Sequence, residues 1–411
     1  MARKPFILRN PSVLVVLAVL AVFTVIVTLM SQAYGTGAIP TSMVKVLGKT
    51  LCLALAAVAM DLVWGYLGIL SLGQMAFFAL GGYMIGQWLM YARTETIVAA
   101  SMANNPIPPT PNELQQAVAS QIFGVVGAAD LPLLWSFAHS LTAQLVLMVA
   151  VPGLLALIFG WLAFRSRVNG VYLSILTQAM TLALALWLFQ NDSGFRGNNG
   201  LSGLQNIPGL EHVAQARLSV WFLWASATVL ALCYLLAAWL VSGKFGSVIR
   251  AIRDDETRVR FLGYPVEGFK LVVFTLAAMI TAIAGALYYP QAGIINPAEL
   301  APIASIYLAV WVAIGGRGRL YGAMIGAIVV SLLSSWFTGG RAPDLHLPGY
   351  TVSWVDWWQV VLGLSFVLVT LFAPKGIAGI FDWLGGAVSP RRQGKDLGPG
   401  EGSLTEQEAQ A

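Results

Sequence analysis

Residues 44–91 read VKVLGKTLCLALAAVAMDLVWGYLGILSLGQMAFFALGGYMIGQWLMY, a nearly continuous apolar stretch of 48 residues. A single helix of this length would extend about 70 Å, more than twice the ~30 Å hydrocarbon core of a bilayer. Gly65, Gly68 and Gly73 lie near its middle, and glycine permits a turn or a broken helix there. The stretch therefore predicts two membrane-spanning helices with a break between them.

The rest of the chain has the same apolar character. Of its 411 residues, 58% are hydrophobic and 10% are charged, whereas soluble proteins carry about 25% charged residues. This composition excludes an ordinary soluble enzyme and indicates an all-α, polytopic integral membrane protein. We predict about ten transmembrane helices, with eight or nine as alternatives, over the apolar runs 11–30, 44–64, 70–91, 141–164, 170–190, 218–242, 271–289, 301–315, 320–338 and 355–373.

Basic residues predict the sidedness of these spans. With a cytoplasmic N-terminus, 17 of the 23 lysines and arginines fall in cytoplasmic segments, as the positive-inside rule requires. Both termini are therefore predicted to be cytoplasmic. We expect one transmembrane domain over residues 1–388, with an outer loop at 92–140 and a cytoplasmic loop at 243–270. Residues 389–411 are polar and are expected to form a disordered cytoplasmic tail.

Residues that carry catalytic or metal chemistry are sparse and scattered. Cys52 and Cys233 lie in apolar runs and the three histidines are isolated, so no disulfide framework, metal site or other cofactor is expected. No basic stripe interleaves with aromatic residues, and no nucleic acid partner is expected. The glycine-rich segment 194–202 lacks the spacing and the lysine of a phosphate-binding loop. The sequence therefore predicts no ATP-binding site, and any energy from ATP hydrolysis would have to come from another chain.

The cytoplasmic loop holds the densest cluster of charges. Two acid–base pairs have the i,i+4 spacing and order that favour a helix, namely Asp254–Arg258 and Glu256–Arg260. Gly263 supplies a stop signal, so a short helix over 247–262 is predicted. Such a helix is either a solvated connection or a docking element for a cytoplasmic partner, and the spacing leaves both readings open. It also carries the apolar residues Val248, Ile252, Val259 and Phe261.

This loop resembles the coupling segment of permeases in the branched-chain amino acid and urea family of ABC importers. Residues 250–264, RAIRDDETRVRFLGY, look most like the urea branch. Other stretches are similar to signatures of the same family: WGYLGILSLGQMAFFALGGY at 64–83, NDSGFRGNNGL at 191–201, YPQAGIINP at 289–297 and GGRGRLYGA at 315–323. The likeness extends from about residue 45 to 380.

The resemblance implies the transmembrane permease subunit of an ATP-driven importer, of the urea type, in a bacterial cytoplasmic (inner) membrane. It implies a second homologous permease, two cytoplasmic ATPase subunits and an extracytoplasmic substrate-binding protein as partners, with the lipid bilayer around the permeases. This subunit would perform no chemistry on the solute, so no catalytic residues are expected. The residues that would couple to the ATPase are Arg250, Ala251, Ile252, Arg253, Asp254, Asp255, Glu256, Arg258, Arg260 and Gly263.

Uncharged polar residues within the spans are candidates for the translocation path. Four of them occupy positions i, i+3, i+4 and i+7 of one predicted helix face. A path for a small neutral solute such as urea needs hydrogen-bonding groups without fixed charge, although hydrogen bonding between helices explains the same residues. The candidates are Ser71, Gln74, Ser174, Thr177, Gln178 and Thr181.

Two further questions stay open at the level of sequence. The pairs Gly82–Gly86 and Gly322–Gly326 have the small-xxx-small spacing of closely packed helices, while Gly65–Gln74 favours a hinge or broken helix beside a water-filled path. The alternatives in function are a permease for branched-chain amino acids or short amides, and a stand-alone channel or secondary transporter. A membrane enzyme is disfavoured because no cluster of His, Cys or carboxylate residues is apparent.

Overall fold

The computed structural model describes residues 11–102, 110–126, 133–168, 170–339, 345–347, 350–352, 354–372 and 376–379. Helices dominate these residues, because long apolar runs satisfy their backbone hydrogen bonds internally only as helices in lipid. The helices are α1 (Pro11–Met30), α2 (Thr41–Asp61), α3 (Gln74–Met102), α4 (Pro111–Val126), α5 (Leu141–Arg165), α6 (Val171–Phe189), α7 (Gln215–Ser242), α8 (Lys244–Asp254), α9 (Glu256–Phe261), α10 (Val266–Ala292), α11 (Pro302–Gly315), α12 (Leu320–Thr338) and α13 (Trp354–Phe372).

Short strands pair in two places. The strands β1 (Leu201–Ser202) and β2 (Ile294–Ile295) are antiparallel, with Leu201 opposite Ile295. The strands β3 (Leu345–Leu347) and β4 (Tyr350–Val352) form a second antiparallel pair. A 3₁₀ turn at Pro297–Leu300 follows β2 and packs against α3 and α6. The β1–β2 pair thus joins the loop after α6 to the loop after α10.

The prediction of an all-α polytopic membrane protein is confirmed, and each of the ten predicted spans overlaps a helix. Among the described residues, seven helices are long and apolar enough to cross a membrane. The helices α11 and Trp357–Val369 are shorter apolar segments, and the 14 residues of α11 extend only about 21 Å. The seven qualifying segments are Ser12–Met30, Thr41–Tyr66, Leu141–Arg165, Val171–Phe189, Gln215–Ser242, Val266–Ala292 and Leu320–Thr338.

The predicted outer loop at 92–140 contains more helix than its sequence indicates. Helix α3 continues to Met102, and the hydroxyls of Thr94 and Thr96 donate to carbonyls one turn earlier in the same helix. Helix α4 begins with a capping box, because the Thr110 backbone N–H donates to Glu113 while the Glu113 N–H donates to the Thr110 hydroxyl. That this segment lies outside the membrane stays a prediction. The predicted tail at 389–411 and both termini lie outside the described residues.

Helices α2, α3 and α10 form the centre of the bundle. In the span Thr41–Tyr66, 83% of the most apolar window is buried inside the protein, compared with 17% for Ser12–Met30 and 22% for Leu141–Arg165. The inner part of α2 is rich in alanine, and Ala54, Ala56 and Ala59 are fully buried. Small side chains let neighbouring helices approach closely. The peripheral helices α1 and α5 instead expose apolar residues, as a lipid-facing surface requires.

Glycines set the closest contact between the central helices. A Cβ atom on Gly81 of α3 would overlap the carbonyl of Ala282, and one on Gly285 of α10 would overlap the carbonyl of Phe78. The prediction of close packing through Gly322 and Gly326 is confirmed, since both lie against Gly315 of α11. The prediction for Gly82–Gly86 needs correction, because Gly82 faces the ring of Tyr289 and Gly86 faces leucine side chains.

The predicted break in the first stretch is confirmed. A π-helical turn at Leu62–Tyr66 extends α2, and residues 67–73 are not helical before α3 begins at Gln74. Gly68 has φ of +83°, a conformation that side chains with a Cβ atom rarely adopt. The bundle therefore combines close helix packing with one interrupted helix, and the interrupted segment holds the polar residues described next.

Candidate functional site

The interrupted segment 67–73 obtains hydrogen-bond partners from α6. The Ser174 hydroxyl donates to the carbonyl of Leu70 over 2.7 Å, and the Leu72 N–H donates to the Thr177 hydroxyl over 3.1 Å. A non-helical backbone loses its own partners, and an unpaired backbone group in an apolar interior costs several kcal/mol. Ser174 and Thr177 therefore hold the break in place.

The predicted polar face of α6 is confirmed for three of its four residues. Ser174, Thr177 and Thr181 are buried on one face. The Thr181 hydroxyl donates to the carbonyl of Thr177, within its own helix, and Gln178 is only half-buried. Ser174 and Thr177 thus both form hydrogen bonds between segments and lie beside the interrupted helix, so the two interpretations of these residues do not exclude each other. A role in translocation stays a prediction.

The start of α3 gathers further uncharged groups. Gln74 is fully buried, and its Oε1 atom accepts a hydrogen bond from the hydroxyl of Thr281 in α10 over 3.2 Å. The N–H of Met75 donates to the hydroxyl of Ser305 in α11 over 3.1 Å. Thr281 lies near the middle of α10, so α3 begins well inside the bundle.

Two buried polar atoms in this region have no hydrogen-bond partner among the described residues: the Ser71 hydroxyl and the Gln74 Nε2 atom. Buried polar groups are nearly always hydrogen-bonded, so these atoms are candidates for contact with a solute. Thr281 and Ser305 were missed by the sequence analysis, because each is a single hydroxyl in an apolar helix. We call the following six residues the break cluster: Ser71, Gln74, Ser174, Thr177, Thr281 and Ser305.

The loop at 243–270, which is predicted to be cytoplasmic, forms two helices, so the prediction of one helix over 247–262 is wrong. Helix α8 ends at Asp254 and α9 begins at Glu256, with Asp255 extended between them at φ −157° and ψ 97°. The Asp255 carboxylate accepts a hydrogen bond from the N–H of Arg258 over 3.1 Å. Aspartate is a strongly preferred N-cap, and this cap starts a new helix where the charge spacing favoured continuation.

Because the loop forms two helices, its ion pairs differ from those that the sequence predicts. The predicted Asp254–Arg258 pair is not formed, since Asp254 pairs with Arg253 at 3.0 Å and Arg258 pairs with Asp255 at 2.9 Å. The predicted Glu256–Arg260 pair is confirmed at 2.9 Å. Surface pairs of this kind contribute little stability, so they orient the loop more than they stabilise it.

Glu256 anchors α9 to the first turns of α10. Its carboxylate also accepts from the ammonium of Lys270 at 2.6 Å, and Lys270 is only 4% exposed. Arg260 adds a bridge to Glu267 at 2.9 Å. Glu256 and Arg260 are therefore engaged within this chain, whereas the predicted coupling residues that are exposed are Arg250, Ala251, Arg253, Asp254, Arg258 and Gly263.

The apolar residues of the loop divide into two groups. Ile252 and Val259 are buried within this chain, so they cannot face a partner while the loop keeps this conformation. Phe261 and Leu262 are instead 87% and 75% exposed, immediately before Gly263 with its φ of +86°. Two adjacent exposed apolar side chains amid charges indicate a contact surface. We call Phe261 and Leu262 the loop tip.

Arg253 connects the loop at 243–270 to the interrupted helix. Its guanidinium donates to the carbonyl of Gly65 over 2.8 Å. A Cβ atom on Gly68 would lie 2.7 Å from the Arg253 side chain, so only glycine allows this approach. The predicted coupling residue Arg253 therefore contacts the π turn at the end of α2, 188 positions away in the sequence.

Asp61 attaches the loop between α11 and α12 to the end of α2, close to the contact between Arg253 and Gly65. It is fully buried, and its carboxylate accepts a hydrogen bond over 2.7 Å from the N–H of Gly318, in the loop between α11 and α12. Beside it, the guanidinium of Arg317 lies 5.2 Å from the ring centre of Trp64. We call Asp61, Gly65, Arg253 and Gly318 the coupling junction, because α2, α8 and the α11–α12 loop meet there.

Comparison with known proteins assigns the family. Residues 42–370 match the family model described as "Branched-chain amino acid transport system / permease component". The chain is 24% identical to the high-affinity branched-chain amino acid transport system permease protein LivM of Escherichia coli over 232 residues, and this alignment spans about half of each protein, 51% in both cases. No solved structure matches the chain.

Two other relatives are similar over different lengths. The probable branched-chain amino acid transport permease protein LivM of Methanocaldococcus jannaschii is 23% identical over 355 residues, which cover 85% of this chain and 88% of the relative. The ribose import permease protein RbsC of E. coli is 30% identical over 107 residues, or 24% of this chain and 33% of the relative. These relatives are permeases and not enzymes. The chain therefore belongs to the family of permease components of branched-chain amino acid transport systems, as a multi-pass protein of the inner membrane.

Proposed function

We propose that this chain is the membrane-spanning subunit of an ATP-driven importer and that its break cluster lines the path of a small polar solute. The observation that carries this proposal is the hydrogen bond between Arg253 and the Gly65 carbonyl. It joins the cytoplasmic loop to the interrupted helix, so a displacement of the loop acts directly on the segment that holds the polar residues. Energy from ATP hydrolysed in other subunits reaches the path through this contact.

The proposed assembly contains a second homologous permease, two cytoplasmic ATPase subunits and an extracytoplasmic substrate-binding protein. Alternating access would open the path to one side at a time as the ATPases close and separate. Two observations support docking at the cytoplasmic loop, namely the exposed loop tip and the anchoring of α9 through Glu256 and Lys270. The Glu256–Lys270 pair holds α9 against α10, so a force applied by a partner to the exposed loop tip would be passed on to α10.

For the solute, we propose urea. All six residues of the break cluster are uncharged, and the unpaired atoms of Ser71 and Gln74 can bind a neutral molecule that carries both donors and acceptors. A branched-chain amino acid is the second candidate, because the matched family and both LivM relatives are described by transport of branched-chain amino acids. The two solutes differ in fixed charge, so one transport measurement separates them.

Uptake of labelled urea and labelled leucine should be measured in vesicles that contain the chain with its candidate partners, with and without ATP. We expect uptake that requires both ATP and the ATPase subunits, with urea transported faster than leucine. Vesicles with the ATPase subunits omitted are the control. ATP-independent uptake by this chain alone would contradict the importer assignment, and a preference for leucine would assign the second candidate.

Replacing the loop tip by serine in the double variant Phe261→Ser, Leu262→Ser should weaken binding of the ATPase at least tenfold. Burial of each side chain contributes about 1.5–3 kcal/mol, and about 1.4 kcal/mol corresponds to a factor of ten in affinity. The measurement is co-purification of the ATPase subunits with the tagged permease. The matched control is Leu133→Ser, Phe137→Ser, which removes exposed apolar side chains on the predicted outer side. Equal co-purification of both variants would argue against docking at the loop tip.

A further inference from the structure

A cavity of about 560 Å³ lies between the end of α5 and the first turns of α10. Two arginines line it, Arg165 and Arg167, together with the ring of Trp161 and the carboxylate of Glu267. Arg165 is the last residue of α5, a helix that is long and apolar enough to cross a membrane. The cavity therefore lies where a spanning helix leaves the hydrocarbon, on the side that the distribution of basic residues predicts to be cytoplasmic.

The charges that line the cavity leave a positive excess. The carboxylate of Glu267 is already paired with Arg260 of α9 at 2.9 Å. Among the described residues, neither Arg165 nor Arg167 has an ion pair with a carboxylate. The guanidinium of Arg165 lies 5.8 Å from the ring centre of Trp161. Both guanidinium groups can therefore donate to an anion, and their planar forks match the oxygens of a phosphate.

The backbone of Arg167 adopts a conformation that favours glycine. Its φ is +55°, in the left-handed region where glycine commonly ends a helix. The N–H of Val168 donates to the carbonyl of Ala163 over 3.2 Å, and the N–H of Arg167 donates to that of Phe164 over 3.0 Å. These two bonds form the Schellman motif. An arginine at the position that glycine usually takes in this motif indicates a role for its guanidinium.

An uncovered apolar face of α5 adjoins the cavity. Trp161, which lines the cavity, is 51% exposed, and Leu154, Leu157, Ile158 and Leu162 are also exposed on the last turns of the helix. Tryptophan beside arginine at the end of a span is typical of a membrane interface. The arginines and the apolar face are thus adjacent, as the phosphate and the acyl chains of a lipid are. A free anion would contact the arginines but not this face.

We propose that this cavity binds the head group of an anionic phospholipid from the leaflet predicted to be cytoplasmic. Arg165 and Arg167 donate to the phosphate oxygens, and the acyl chains lie along the exposed face of α5. Lipids with a net negative charge are favoured over zwitterionic ones, because Arg260 already neutralises Glu267 and the two other arginines have no carboxylate partner among the described residues. Basic pockets between spanning helices suit such head groups. The site is independent of the transported solute.

The test measures binding of dioctanoyl phosphatidylglycerol to the purified full chain in detergent by microscale thermophoresis. We expect the dissociation constant to rise at least about tenfold in the double variant Arg165→Gln, Arg167→Gln, since each lost guanidinium removes charge-assisted hydrogen bonds to phosphate. The matched control is Lys244→Gln, Arg258→Gln, which removes two exposed cationic charges outside the cavity on the same predicted side. Wild-type affinity in the first variant, or an equal loss in both, would overturn the proposal.

Two further probes distinguish a lipid from other ligands. Dioctanoyl phosphatidylcholine has the same acyl chains and a phosphate but no net charge, and it should bind about tenfold more weakly than phosphatidylglycerol. Inorganic phosphate lacks acyl chains and should not displace phosphatidylglycerol when present in large excess. Equal binding of the two lipids would show only an apolar surface, and displacement by inorganic phosphate would show a site for free anions. Either result would overturn the proposed lipid site.

Arg167→Gly separates lipid binding from a structural role of Arg167. Glycine adopts the left-handed conformation without strain, so the midpoint of thermal unfolding without added lipid should stay the same or rise. The affinity for phosphatidylglycerol should nevertheless fall several-fold, because one of the two phosphate donors is lost. A lower unfolding midpoint together with unchanged lipid affinity would assign Arg167 to the fold and not to the lipid.

Discussion

Arg253→Ala should uncouple ATP hydrolysis from transport. The variant loses the hydrogen bond to the Gly65 carbonyl, and a bond from a charged donor contributes about 1.5–3 kcal/mol, or roughly a factor of ten to a hundred. We expect solute uptake per ATP hydrolysed to fall at least tenfold, while the ATPase subunits still co-purify. The measurement combines uptake with phosphate release in the same vesicles.

Arg250→Ala is the matched control for this prediction. Arg250 lies one turn earlier on α8, and among the described residues its guanidinium donates to the nearby carbonyls of Gly246 and Val241. Arg250 is also a predicted coupling residue, but its hydrogen bonds go to its own helix and to the end of α7 and not to the interrupted helix. Its loss should therefore leave the ratio of uptake to hydrolysis unchanged, even if it weakens binding of the ATPase. If Arg253→Ala lowers uptake only in proportion to a loss of bound ATPase, Arg253 belongs to the docking surface and the coupling junction has no separate role.

Gly285→Ala should destabilise the bundle, although alanine is the better helix former. The added Cβ would overlap the carbonyl of Phe78, so α3 and α10 must separate or shift. Overpacking of this kind costs about 1–3 kcal/mol, more than the gain of up to about 1 kcal/mol in helix propensity. We expect the midpoint of thermal unfolding in detergent to fall by several degrees, with less assembled complex.

Gly268→Ala, on the same helix, is the matched control, because it adds a methyl group without a close contact. A Cβ at Gly268 would meet nothing within 4 Å, so only the gain in helix propensity remains. The unfolding midpoint should stay the same or rise slightly. An equal fall in both variants would show that the effect is a general intolerance of α10 to substitution and not the close contact with α3.

Some features of the break cluster were predictable from local pattern, and others were not. The glycines at 65, 68 and 73 predicted the break, and the polar spacing on α6 predicted that Ser174 and Thr177 share a face. Thr281 and Ser305 carry no such pattern, because one hydroxyl in an apolar helix is common. Their role depends on partners 207 and 230 positions away, Gln74 and Met75 respectively.

The loop at 243–270 shows how two local signals can conflict. The i,i+4 charges favour a continuous helix, whereas Asp255 favours a cap, and the cap prevails. The apolar residues of the loop were equally ambiguous. Val259 and Phe261 are two positions apart, yet one is buried and the other exposed. Burial depends on where the loop packs against α10 and on the turn that Gly263 imposes.

By itself, the sequence determined the class of the protein, its approximate spans and the position of the break. These properties follow from the length of apolar runs and from glycine, and both act over a few turns of helix. Only the tertiary structure decided which polar groups meet, as Arg253 meets the carbonyl of Gly65 and as Asp61 meets the N–H of Gly318. A hydrogen bond or a charge pair depends on distance in space, and helix packing sets that distance between residues far apart in the chain.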